Sequence, residues 1–64
     1  MFGTPKQALY TIVKEFGPID IKPLFIVVES KFGAEAVAIA YAQLINEGEI
    51  TTTEDYLVAI MDKQ

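Results

Sequence analysis

The stretch AEAVAIAYAQLINEG, from Ala34 to Gly48, constrains the fold of this chain more than any other. It holds no proline and no internal glycine. It is built largely from alanine, leucine, glutamine and glutamate, which are strong helix formers. Val37, Ala40, Tyr41, Leu44 and Ile45 recur at steps of three and four, the spacing of one helical face. Gly48 follows the last periodic residue, where helices commonly end in a left-handed cap. The other face carries Ala34, Ala38, Ile39 and Ala42, with only Glu35, Gln43, Asn46 and Glu47 to wet it. A helix apolar on most sides tends to be buried on most sides. The stretch therefore reads as the central helix of a small domain or as a subunit contact.

Upstream, Thr4-Pro5-Lys6-Gln7 has the features of a helix start. Thr4 serves as N-cap, Pro5 suits the first helical position, and Gln7 stands where a capping box places Glu or Gln. Leu9, Ile12, Val13 and Phe16 follow at helical spacing, and Gly17-Pro18 stops the run. A first helix is expected over residues 5–16. Asp20 is a second N-cap, with Pro23 in the first turn, where the missing N–H has no intrahelical partner to lose. The run Leu24-Phe25-Ile26-Val27-Val28 suits a buried strand as well as a helix. Its continuation through Glu29-Ser30-Lys31-Phe32-Gly33 favours a helix, with Ile21, Phe25, Val28 and Phe32 as one stripe. Leu24, Ile26 and Val27 fall off that stripe. Together with Ile39 they are the expected protein-interface residues, because apolar side chains beyond one core ask for a second burying surface.

Two readings compete after Gly48. In the favoured one, Thr52 or Thr53 caps a fourth helix over residues 53–62. Glu54 and Asp55 occupy its first turn, Tyr56, Leu57, Ile60 and Met61 form its stripe, and Lys63 lies near its end. In the other, residues 49–61 form a β-hairpin. Threonine, tyrosine, valine and isoleucine suit strands, but the connecting Glu54-Asp55 lacks the glycine of a tight hairpin turn. The expected fold is thus all-α, a small bundle of three to four short helices in one domain over residues 1–64.

Sixty-four residues fit one domain rather than two, and a chain this short buries only about 60% of its unfolded surface. With no cysteine and no histidine, disulfides and the usual zinc ligands are both removed. Yet 52% of the residues are hydrophobic. The expected support is association with itself or docking on a larger protein. The net charge is −4, all five cations are lysines, and none lies between Phe32 and Asp62. That half carries Glu35, Glu47, Glu49, Glu54, Asp55 and Asp62 and repels phosphate. The longest apolar run, LFIVV, is far short of the roughly 20 residues of a membrane-spanning helix. MFGTPKQ lacks the basic head and apolar run of a secretory signal, so a soluble, cytoplasmic protein is expected.

The succession of helix, Gly17-Pro18 break, helix, Gly33 corner, long helix and then Leu44-Ile45-Asn46-Glu47-Gly48-Glu49-Ile50 resembles a winged helix-turn-helix domain. In that family the third helix ends in a similar leucine–glycine–isoleucine segment leading into the wing. The resemblance implies an α+β fold with residues 49–61 as the wing. It also implies a DNA-binding regulator whose third helix lies in the major groove. The stretch Gly48 to Tyr56 is also similar to the helix-turn-helix joint of some short bacteriophage proteins, tail-associated ones among them.

The residues themselves argue against carrying the DNA role over. Base and phosphate contacts lean on arginine and lysine, and the candidate recognition helix has neither. Gln43 and Asn46 have the chemistry to read adenine, but read more simply as polar residues on a wet edge. Glu47/Glu49 and Glu54/Asp55 read as solvated charge at helix ends, and the ligand spacing of a calcium loop is absent. Tyr41 is expected in the core, Tyr10 and Tyr56 at its edge, and Met61 as a gap filler. No catalytic residue, cofactor, metal or small-molecule substrate is expected. The expected function is that of an acidic, non-enzymatic accessory protein acting through protein contacts.

Overall fold

The computed structural model describes residues 3–61. Its first helix, α1, runs Pro5–Phe16. The Thr4 hydroxyl accepts from the Gln7 N–H at 3.1 Å, and the Gln7 side-chain oxygen accepts from the Gly3 N–H at 3.2 Å. One orphan donor of the helix start is satisfied in this way, and the chain just before the cap is tied back to the first turn. Strand β1, Ile19–Asp20, leads directly into α2, Ile21–Phe32. The Asp20 carboxylate caps α2 by accepting from the Lys22 N–H at 2.9 Å.

Gly33 turns the chain from α2 into α3, Ala34–Asn46, with φ 90° and ψ 151°. That backbone region is essentially open to glycine alone, which is why the corner is so tight. Gly48, at φ 74°, follows the end of α3. Strands β2, Ile50–Thr52, and β3, Leu57–Ile60, then form an antiparallel hairpin, with Ile50 opposite Ile60 and Thr52 opposite Val58. β1 pairs antiparallel with the other edge of β3, Ile19 opposite Val58, so the sheet order is β1-β3-β2.

The fold is therefore mixed helix and strand, not the expected all-α bundle, and residues 57–60 are strand where a fourth helix was expected. β3 is the central strand, with ladder partners on both sides, and its Val58 is fully buried. Branched side chains such as Val58 and Ile60 suit that pleated, half-buried setting better than a helix. The connection lacks glycine because Tyr56 itself takes the left-handed conformation, φ 61°. Thr53 closes the turn: its N–H donates to the Leu57 carbonyl at 2.7 Å and its hydroxyl accepts from the Leu57 N–H at 3.2 Å. The expected helix positions Asp62 and Lys63 lie outside the described residues.

One core joins all layers. Leu9 and Val13 of α1, Leu24 and Val28 of α2, and Val37, Ala40 and Leu44 of α3 meet Ile50 of β2 and Val58 of β3. Among the described residues no polar or charged side chain is buried. Phe16 and Ile45, expected on the buried stripes, are instead exposed, as is Met61 just past β3. Among the described residues, no helix is long and apolar enough to cross a membrane.

Candidate functional site

The four expected interface residues separate into two groups. Leu24 is 0% exposed and belongs to the core. α2 packs against both α1 and α3, so it buries a wider arc than the stripe Ile21, Phe25, Val28 and Phe32. Leu24 is therefore corrected from contact surface to core. Ile26, Val27 and Ile39 are 67%, 59% and 57% exposed.

Ile26 and Val27 sit on the side of α2 turned away from Leu24 and Val28. By helical spacing they share it with Pro23 and Ser30, both exposed. The Ser30 hydroxyl donates to the Val27 carbonyl at 2.7 Å, which turns that polar group back onto the helix. Exposed Lys22 and Lys31 flank this face at its two ends, and half-buried Glu29 borders it. Sequence reasoning missed the lysines as part of the surface; the helical wheel of α2 carries that signal.

Ile39 projects from α3 opposite the buried Val37, Ala40 and Leu44. Around it lie exposed Glu35, Ala38, Ala42, Gln43 and Asn46. Ile39 also borders a shallow groove against the start of α1, walled by Thr4, Pro5, Lys6, Ala36 and Gln43. α3 has no cation in its last turn. At its end Glu47 pairs with Lys6 at 2.7 Å, and both side chains remain substantially exposed. The outer face of α3 is thus apolar and acidic, with no cation of its own.

The other candidates of the sequence lie apart. Glu54 and Asp55 are solvent-exposed in the hairpin turn, and the backbone of Glu49 bridges the end of α3 to Met61. Among the described residues no group of acidic side chains is arranged to hold a metal ion. Tyr10 is half-buried at the core edge, whereas Tyr56 is 70% exposed. Tyr41 is half-buried and ties α3 to its surroundings on two sides. Its ring meets Phe25 edge-to-face with centroids 5.1 Å apart, and its hydroxyl shares a hydrogen bond with that of Thr52. Burial raises the Tyr41 hydroxyl above its ordinary pKa of 10.0.

Compared with protein-family models, curated proteins and solved structures, the chain matches none of them.

Proposed function

We propose that this protein is a small, non-enzymatic interaction module of the winged-helix type, whose third helix serves protein contact and not DNA. The observation that carries the reading is the outer face of α3. Where a recognition helix would present cations, this one presents Glu35, Ala38, Ile39 and Ala42. The element order, with α2 and α3 joined at the Gly33 corner and followed by the β2–β3 hairpin, supports the winged-helix type. Glu54 and Asp55 lie exposed in the hairpin turn, a setting that supports a non-enzymatic role.

A second reading, a DNA-binding regulator, draws on the exposed Gln43 and Asn46 of α3, whose side chains have the donor and acceptor pair that adenine requires. α3 itself offers no phosphate anchor, and non-specific affinity for DNA comes almost entirely from cations set against the backbone. Fluorescence anisotropy with labelled duplex DNA at physiological salt separates the two. No binding at micromolar protein is expected. Micromolar, salt-dependent binding that Gln43→Ala or Asn46→Ala weakens would overturn the protein-contact reading.

A further inference from the structure

We infer that the two outer faces are the two halves of one contact, and that the occupant of each is a second copy of this chain, joined head to tail. This rests on the protein-contact reading and goes beyond it by naming the partner. Every copy carries both an apolar face flanked by cations, on α2, and an apolar face flanked by an anion, on α3.

The charges favour this pairing over the symmetric ones. Helices rise about 1.5 Å per residue, so Val27 to Lys31 and Ile39 to Glu35 are both steps of about 6 Å. Setting the Ile26–Val27 step against Ile39 of a second copy, with the helices antiparallel, brings Lys31 opposite Glu35. The same register brings Lys22 beside the C-terminal turn of α3. The carbonyls there carry the negative end of the helix dipole, and no cation of α3 answers it. Pairing two α2 faces antiparallel about Ile26 and Val27 instead sets Lys22 against Lys31, a like-charge contact. Pairing two α3 faces about Ile39 sets Glu35 against Gln43 and gains nothing. Lys6 does not alter the balance, because Glu47 engages it. On α2 the half-buried Glu29 borders the face and exposed Asp20 and Asp55 line a groove with Lys22, so the cation that this pairing rests on is Lys31, set against Glu35.

A head-to-tail contact is heterologous, so it closes into rings or continues as a filament. Helices of 12 and 13 residues are only about 18–20 Å long, which places the contact at the small end of protein interfaces. Association is therefore weak and concentration-dependent.

Sedimentation equilibrium of wild type, Ile26→Glu, Ile39→Glu and an equimolar mixture of the two variants tests this, with circular dichroism confirming that each is folded. Wild type is expected to associate beyond the dimer as concentration rises. Each variant alone is expected to be monomeric, weakened about a hundredfold or more by a carboxylate pressed onto apolar surface. The mixture is expected to recover association and to stop at a dimer, since the variants together retain one intact face of each kind. If Ile26→Glu associates like wild type while Ile39→Glu does not, the contact is symmetric through α3 and the head-to-tail pairing is overturned, with the protein-contact reading intact. A wild type monomeric at every concentration would overturn the second-copy assignment in the same way. Should the variants fail to fold, Ile26→Ser and Ile39→Ser carry the same comparison with a smaller perturbation.

Discussion

The Tyr41 and Thr52 hydroxyls meet in a hydrogen bond that ties the middle of α3 to the end of β2. It joins the helix bearing the candidate contact face to the hairpin, and Phe25 holds the same ring from the α2 side. Tyr41→Phe keeps the aromatic packing and removes the bond, leaving a half-buried Thr52 hydroxyl without its partner. The expected cost is about 1 kcal/mol, or about 4–8 °C in a domain of this size, read by thermal denaturation.

The same residue gives a signed pH effect. Burial disfavours the tyrosinate, so Tyr41 titrates higher in the folded chain than its ordinary 10.0. Its contribution is complete below the unfolded value and is lost as pH rises through the folded one. Wild type is therefore expected to lose more stability than Tyr41→Phe between about pH 9 and about pH 11. Every other ionisable group is common to both proteins, so the difference between them isolates Tyr41. Parallel alkaline losses would contradict the assignment.

Leu24 and Ile26 are two residues apart on α2, one 0% and the other 67% exposed. Leu24→Ala is expected to cost about 2–5 kcal/mol, because a cavity opens in the core shared by all layers. Ile26→Ala is expected to stay within about 0.5 kcal/mol of wild type in chemical denaturation of the dilute protein. Equal losses would mean that both residues are internal.

Tyr56 holds a left-handed backbone conformation, which costs a non-glycine residue roughly 1–2 kcal/mol. Its side chain is largely exposed, so little packing offsets that cost. Tyr56→Asn, a residue that tolerates this conformation, is expected to raise the midpoint of thermal denaturation. A lowered midpoint would show that the exposed ring contributes more than its backbone costs.

That turn is also where the sequence is least legible. The ends of the three helices are written in local chemistry: Thr4-Pro5 and Asp20 start two of them, and Gly17, Gly33 and Gly48 mark where they end or turn, while the apolar run Leu24 to Val28 suits strand and helix alike until its continuation to Phe32 is read. The hairpin turn carries no such mark, because a tyrosine occupies the position where glycine usually signals it. With that signal missing, Tyr56, Leu57, Ile60 and Met61 fall at helical spacing and suggest a fourth helix. One ladder partner of residues 57–60 lies far away in the chain, at Ile19–Asp20, and the other, Ile50–Thr52, is reached only across a turn that the sequence does not mark. Leu24 is misplaced because α2 packs against both α1 and α3, which widens the arc it buries beyond one stripe. Ile26, Val27 and Ile39 stand off the stripes in sequence and in space alike, because helical periodicity alone places them.

Charge reversal tests the proposed register. Lys31→Glu and Glu35→Lys each set like charges across the contact and are expected to weaken self-association about two- to five-fold. Carrying both changes in one chain restores the pair with reversed sign, and the affinity is expected to return toward that of wild type. Two independent, additive losses would place Lys31 and Glu35 on different contacts.

The most direct measurement is amide and methyl NMR of the wild-type chain across a dilution series. If the outer faces of α2 and α3 are the contact between copies, signals of Ile26, Val27, Lys31, Glu35 and Ile39 shift together with concentration and follow one binding curve. Signals of the core residues Leu9, Val37 and Val58 stay in place. Shifts confined to other surfaces, or none at any concentration, would contradict the contact between copies.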